Sequence, residues 1–141
     1  MQEPARTELF SLLYVSRMTR PSGAEVAAIC RQAQINNERE GITGLLVFDG
    51  EAFCQLVEGA EAALSLLLHR LERDPRHVDM QVLHFGRAPT RRFPAWRMGY
   101  AFAADPQAIG RVQRGVRHSG VDAFHEVVAA LAPTSDAGPA R

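Results

Sequence analysis

The segment Asn36–Gly59 reads NNEREGITGLLVFDGEAFCQLVEG, and its pattern predicts the centre of the fold. The end of a helix is followed by a glycine, and the apolar run Ile42–Phe48 is typical of a strand. Asp49-Gly50 then separates this run from a second one. An Asp-Gly pair between two apolar runs is a strong indication of a two-residue hairpin turn. The segment therefore predicts a helix packed beside a β-hairpin.

The second strand of this hairpin carries an amide among apolar residues. Gln55 alternates in phase with Phe53 and Val57, so its side chain is predicted to be buried. A buried amide needs partners for both its donors and its acceptor. Asn36 and Asn37 add two further amides near the predicted end of the first helix, which is expected there or one turn later, before Gly41. Taken alone, however, an asparagine there is most often a cap, and a glutamine in a strand most often lies at a sheet edge.

The elements on either side of the hairpin give the order β-α-β-β-α-β-β. A first strand is predicted at Leu9–Ser16, and helical spacing of apolar residues marks one helix before the hairpin and one after it. The second helix ends at Asp74-Pro75, because the residue before a proline is driven out of helical geometry. A fourth strand covers Val78–Phe85. One face of a fifth strand is predicted to carry Trp96, Met98, Tyr100 and Phe102.

This order contains two helical crossovers, which predict an α+β, ferredoxin-like sheet with both helices on one face. The central strands are apolar on both sides, so a second layer should cover the opposite face. Two C-terminal helices, beginning at Asp105-Pro106, are the expected cover. We therefore divide the chain into a domain over 8–104, a C-terminal helical cap over 105–132 and a disordered tail over 133–141.

Composition narrows the class of protein. The chain has 141 residues, of which 46% are hydrophobic and 23% charged, as in an ordinary soluble domain. Its formal net charge of zero gives no reason to expect binding to nucleic acid or to a membrane. Cys30 and Cys54 lack the spacing of common zinc sites, and no apolar run is long enough to span a bilayer. All 16 basic residues are arginine, which is typical of a GC-rich bacterial genome. The two cysteines suit a reducing compartment, so we expect a cytoplasmic protein.

The polar residues can be brought together in the predicted topology. The first and third strands are central neighbours, so Tyr14 and Gln55 can lie side by side on the helix-covered face. Ile29 of the first helix and Leu71 of the second would wall a cleft above them, and aliphatic walls with a polar end are typical of a small-molecule pocket. The amides suit the acceptor–donor–acceptor edge of a planar heterocycle such as a flavin. A phenol beside an amide could also pass on an electron and then a proton.

Five motifs in sequence order favour this interpretation. They are YVS at 14–16, NNEREGITG at 36–44, FCQLVEG at 53–59, DPRH at 74–77 and RRFPAWRMGY at 91–100. Over residues 9–102 the chain resembles the BLUF family of blue-light sensors, which use FAD. The resemblance implies non-covalent binding of FAD (or FMN or riboflavin in recombinant protein), no enzymatic activity, and signalling to a separate partner protein. The apolar C-terminal helices are the expected surface for that partner or for a homo-oligomer.

The resemblance also implies roles for single residues. Tyr14 would donate the electron and proton, and Gln55 would rearrange between Tyr14 and the flavin. Trp96 and Met98 would compete for the place beside Gln55. The other residues implied to bind the cofactor are Ser16, Ile29, Asn36, Asn37, Leu71, Asp74, Arg76 and His77.

Two other functions are considered. GRVQRGVR at 110–117 is similar to the anion-binding loop of acylphosphatases, small enzymes with ferredoxin-like topology. That loop belongs directly after the first strand, however, and Arg114 breaks its spacing. A ferredoxin-like interaction domain without flavin is the second alternative, against which the presence of Tyr14, Asn37 and Gln55 argues.

Overall fold

A computed structural model describes residues 8–20, 23–115 and 120–129, so the predicted tail at 133–141 lies outside the described residues. The helices and strands follow one another as β1 (Leu9–Met18), α1 (Gly23–Glu40), β2 (Thr43–Phe48), β3 (Ala52–Ala60), α2 (Glu61–Arg73), β4 (His77–Arg87), β5 (Gly99–Phe102), α3 (Ala108–Arg114) and α4 (Gly120–Ala129). No helix in these ranges is long and apolar enough to cross a membrane.

The five strands form one mixed sheet in the order β4-β1-β3-β2-β5. β1 and β3 are adjacent and antiparallel at its centre, as predicted, and β5 joins the edge parallel to β2. The ferredoxin-like α+β prediction is confirmed. The hairpin turn is one residue later than predicted: the Asp49 amide bonds the Ala52 carbonyl, which leaves Gly50-Glu51 as the turn. The Asp49 carboxylate favours this register because it accepts hydrogen bonds from the Glu51 and Ala52 amides.

Helix α1 continues one turn beyond the two asparagines. It ends at Glu40 because Gly41 adopts a left-handed conformation, with φ of 68°. The Ile42 amide then donates to the Asn37 carbonyl at 2.9 Å, closing the helix in the usual glycine motif. Asn36 and Asn37 therefore lie within the helix, and the interpretation of these residues as caps is wrong.

Two apolar cores cover the two faces of the sheet. Helices α1 and α2 pack on one face, in a core that includes Leu12, Val26, Leu46, Phe53, Val57 and Leu64. Helices α3 and α4 pack on the other, in a core that includes Leu13, Leu45, Leu56, Ile109, Val112 and Phe124. The prediction that the C-terminal helices cover the second face is confirmed for the described residues.

The fifth strand is shorter than predicted. It begins only at Gly99, and Trp96, in the turn before it, packs against the core under α3 and α4. Met98 and Tyr100 belong to the core under α1 and α2. The prediction that Trp96 and Met98 share a face is wrong, because alternation at period two holds only within a strand. The Trp96 ring covers Gly99, where an added Cβ would lie 2.3 Å from its Cε3 atom.

Candidate functional site

A cavity of about 180 Å³ lies between α1 and α2, above the centre of the sheet. β1 and β3 form its floor, the two helices form its walls, and the turn between α2 and β4 forms its mouth. The residues lining it are Tyr14, Ile29, Gln32, Ala33, Asn36, Asn37, Gln55, Leu67, Arg70, Leu71, Asp74, Arg76 and His77.

Tyr14 and Gln55 form a hydrogen-bonded pair at the floor of the cavity. They are direct cross-strand partners of β1 and β3, and the Tyr14 hydroxyl donates to Gln55 Oε1. Gln55 Nε2 in turn donates to Met98 Sδ at 3.1 Å. The three side chains are therefore joined by consecutive hydrogen bonds inside an otherwise apolar core.

Burial governs the acidity of the phenol. Tyr14 is only 1% exposed, and this burial, with smaller contributions from Cys54, Asp74 and Cys30, raises its pKa well above the ordinary value. The Tyr14 hydroxyl consequently stays protonated at neutral pH and acts as the donor to Gln55. A buried phenol of this kind can lose a proton only together with an electron or to a strong adjacent acceptor.

The two asparagines have different surroundings. Asn37 is 1% exposed, and its Nδ2 donates to the Arg97 carbonyl at 2.5 Å. Asn37 also lines the cavity. Asn36 is half-buried, and its Oδ1 accepts a long bond of 3.4 Å from Gln32 Nε2.

The mouth of the cavity carries an ion pair and a buried imidazole. The Arg76 guanidinium donates to the Asp74 carboxylate from Nε at 3.0 Å and from Nη2 at 2.6 Å. These bonds lower the pKa of Asp74. His77 Nδ1 lies 3.3 Å from Ser16 Oγ. His77 Nε2 is buried and has no hydrogen-bond partner among the described residues, with the nearest Asp74 oxygen at 3.6 Å. An orphaned buried nitrogen of this kind suits a polar ligand entering the cavity.

Most residues predicted for the site line this cavity, but three do not. Ser16 lies behind His77, Met98 lies behind Gln55, and Trp96 lies on the opposite face of the sheet. The residues that were missed are Gln32, Ala33, Leu67 and Arg70. Helical spacing could have found them, since Gln32, Ala33 and Leu67 lie three or four residues from Ile29 or Leu71 and share a helix face with them. Arg70 in turn lies three residues after Leu67.

The acylphosphatase interpretation is not supported by the fold. Gly110–Arg114 lies within helix α3 and not in a loop after β1. This helix packs on the face of the sheet away from the cavity.

The sequence profile for sensors of blue light using FAD, the BLUF family, matches residues 9–99. This chain belongs to the BLUF family. BlrB, a BLUF protein solved in its dark state, superposes with a TM-score of 0.72 and 30% sequence identity, over 88% of this chain and 97% of BlrB.

Two further relatives are larger proteins. Photoactivated adenylate cyclase subunit beta of Euglena gracilis is 37% identical over 90 residues, which are 63% of this chain and 10% of that protein. Klebsiella pneumoniae BlrP1, solved with FMN and cyclic diGMP, has a TM-score of 0.57 and 38% identity over 60% of this chain and 23% of that one. The chain thus spans about a tenth of the length of the curated relative.

Proposed function

We propose that this chain is a blue-light photoreceptor that binds FAD in the cavity between α1 and α2 and signals without catalysing a reaction itself. The observation that carries the proposal is the hydrogen-bonded chain from Tyr14 through Gln55 to Met98 at the cavity floor. This chain consists of a phenol that donates, an amide whose donor and acceptor ends can be exchanged, and a thioether that accepts weakly.

The residues present fit a flavin. Ile29 and Leu71 would hold the faces of the ring, and the Asn37 carboxamide, with Asn36 beside it, would bond its polar edge. The cavity is smaller than the roughly 300–1,000 Å³ of common ligand pockets, so the ring would be enclosed and the phosphate tail would leave past the mouth. Asp74, Arg76 and the free Nε2 of His77 lie along that exit. Since the cavity would enclose only the ring, which FAD, FMN and riboflavin share, FMN or riboflavin could replace FAD in recombinant protein.

The chain's own residues define the switch. When bound, the flavin supplies blue-light absorption and an excited state that accepts an electron. Tyr14 is the electron donor, and its hydroxyl already donates a hydrogen bond to Gln55 Oε1. Rearrangement of the Gln55 amide, by rotation or tautomerisation, would exchange its donor and acceptor ends. The bond to Met98 would yield first, because a thioether sulfur is a weak acceptor.

Absorption spectroscopy tests this proposal. Purified protein should be yellow, and blue light should shift its flavin absorption reversibly to the red without bleaching, since only hydrogen bonding to the ring changes. Tyr14→Phe and Gln55→Leu should each abolish the shift and keep the colour. Tyr100→Phe, which changes the chain's other tyrosine, is the matched control and should keep it. A normal photocycle in either cavity variant would contradict the proposal.

The output is proposed to pass from Met98 through β5 to the C-terminal helices and on to a partner protein. The related adenylate cyclase is light-activated by name, which supports an effector as the target. Coupling of this kind is typically about 1–3 kcal/mol, so light should shift a population only in part. Light-dependent amide exchange is expected in Gly99–Phe102, residues 105–115 and residues 120–129. Met98→Ala should reduce it and keep the red shift, whereas identical exchange in dark and light would refute this route.

The proposal also includes a homo-oligomer, a cytoplasmic location and the absence of direct nucleic-acid or membrane binding. The apolar C-terminal helices are the expected contact between subunits. Light scattering coupled to size-exclusion chromatography, run in the dark and under blue light, tests the oligomer. A monomer in both conditions would contradict it.

A further inference from the structure

A buried carboxylate holds the segment that carries Trp96 and Met98. Glu58, on β3, is 1% exposed. One oxygen accepts from the Arg92 amide at 2.5 Å, and the other accepts from the Phe93 amide at 3.0 Å and from Thr43 Oγ1 at 3.2 Å. Burying a carboxylate is unfavourable unless its oxygens are bonded. These bonds therefore tie residues 92 and 93 firmly to the centre of the sheet.

Arg91 reinforces the same attachment. Its guanidinium donates to Thr43 Oγ1 at 2.8 Å, to the Glu58 carbonyl at 3.0 Å and to the Gly41 carbonyl at 2.8 Å. Thr43 thus bridges Arg91 and Glu58. One end of the segment 91–98, here called the lead-in segment, is held by this cluster.

The other end of the lead-in segment is held through its backbone. The Gly44 amide donates to the Trp96 carbonyl at 2.9 Å, Asn37 Nδ2 to the Arg97 carbonyl at 2.5 Å, and Gln34 Nε2 to the Met98 carbonyl at 3.3 Å. Between the two attachments the segment turns so that Trp96 stacks on Phe93, with ring centroids 6.1 Å apart, while Met98 reaches Gln55. Movement at either end would change which side chain faces Gln55.

We propose that Glu58 is a positioning residue that sets the Gln55–Met98 contact. It lies outside the lining of the flavin cavity and acts through the lead-in segment alone. By fixing the Arg92 and Phe93 amides, it keeps Trp96 on the opposite face and Met98 beside Gln55. The inference rests on the proposed function for its photochemical consequence but not for the placement of Trp96.

Glu58→Gln is the direct variant. Its amide has one acceptor oxygen, so in either orientation an NH₂ group meets a backbone N–H and one attachment is lost. Glu51→Gln is the matched control, because Glu51 lies beside the same strand but is exposed and pairs with the exposed Arg17 at 3.6 Å. Thr43→Val is a milder variant that removes the bridge to Arg91 and leaves both bonds from Arg92 and Phe93.

Two measurements test the inference. Trp96 is the single tryptophan, so acrylamide quenching of its ultraviolet-excited fluorescence reports its placement without needing blue light or flavin. Glu58→Gln should raise the quenching constant and speed dark recovery of the red-shifted state by about fivefold, the factor that one ordinary hydrogen bond represents. Thr43→Val should move both quantities in the same direction by less, and Glu51→Gln should leave both unchanged.

The outcomes separate this inference from the proposed function. Unchanged quenching in Glu58→Gln, or an equal change in Glu51→Gln, would overturn the positioning role. If Glu58→Gln does not fold, Thr43→Val decides: a parallel change in quenching and recovery supports the role, and wild-type values for both refute it. If the wild type has no photocycle, the proposed function fails, while quenching still decides how Trp96 is held.

Discussion

The two faces of the central sheet differ in chemistry although adjacent residues build them. On β3, Gln55 points into the cavity between α1 and α2, whereas its neighbours Cys54 and Leu56 point into the core under α3 and α4. Around Cys54 and Leu56 the second face is apolar, and its buried polar group on β3 is the Glu58 carboxylate at the far end of the strand. The first holds a phenol, an amide and an imidazole, and one polar atom of the imidazole has no partner among the described residues. The comparison teaches that the same strands can present a cavity with polar side chains on one side and an apolar core on the other.

The largest expected loss of stability comes from removing a buried side chain from the apolar core under α3 and α4. Leu56→Ala should lower the free energy of unfolding by about 2–5 kcal/mol, because a fully buried leucine leaves both lost transfer energy and a cavity. Gln55→Leu should lower it by about 1–3 kcal/mol, since it leaves the Tyr14 hydroxyl unpaired. Urea denaturation measures both. If Gln55→Leu proves as destabilising as Leu56→Ala, the proposed division between the faces is wrong.

The double variant Tyr14→Phe/Gln55→Leu sharpens this comparison. It removes both partners of the hydrogen bond, so it should recover part of the stability that Gln55→Leu loses. A double variant that is less stable than the single one would show that the pair contributes more than its mutual bond.

A somewhat smaller loss of stability is expected from a change at Gly99, which directly follows the lead-in segment and is covered by the Trp96 ring. In Gly99→Ala the new methyl would lie 2.3 Å from the Trp96 ring and 2.5 Å from Leu45 Cδ1. Overpacking of this kind costs about 1–3 kcal/mol, and the ring should move away to relieve it. Thermal denaturation and Trp96 fluorescence measure the two consequences. An unshifted emission spectrum at wild-type stability would contradict this account of the contact.

The flavin-binding face can be probed at its best-buried amide. Asn37→Ala removes the bond to the Arg97 carbonyl and the proposed bond to the ring edge, so flavin affinity should fall by a factor of roughly ten, equivalent to about 1.4 kcal/mol. Asn36→Ala is the matched control on the same helix and should have the smaller effect, because Asn36 is half-buried and makes a long bond. Flavin retained after extensive dialysis measures both, and equal retention in the Asn37 variant and the wild type would exclude the assignment.

The smallest expected effect is a dependence on pH. Burial lowers the pKa of His77; the Asp74 charge raises it in part and the Arg76 charge lowers it further. In the unfolded chain the imidazole therefore gains its proton at a higher pH than in the folded protein. Its contribution to stability is therefore complete above about pH 6.5 and is lost as the pH falls towards the folded value. Burial lowers the pKa of His84 as well, with the same sign. Thermal denaturation should be measured from about pH 7.5 to about pH 5.5, roughly one unit either side of the ordinary imidazole pKa. The stability of His77→Gln should depend less on pH than that of the matched variant His69→Gln.

Local patterns were sufficient for much of the fold and for the floor of the site. The phase of Gln55 with Phe53 and Val57, and of Tyr14 with Leu12, depends only on the two-residue period of a strand. The apolar stripes of α1 and α2 likewise follow from helical spacing and bring Ile29 and Leu71 to the cavity walls. Glycine at position 41 ends α1 through its own backbone freedom. These features need no knowledge of distant contacts, so the amino-acid order alone determined them.

Other features arise from groups far apart in the chain. Asn37 bonds a carbonyl 60 residues away, and Glu58 bonds amides 34 and 35 residues away. Neither pairing has a periodic pattern. Trp96 was assigned to the wrong face because the strand period was extended into residues that are not strand. Their backbone carbonyls are held by α1 and β2, and Met98 meets Gln55 only after those distant groups have been brought together. That placement depends on tertiary packing, since a turn held by non-local hydrogen bonds has no period of its own in the sequence.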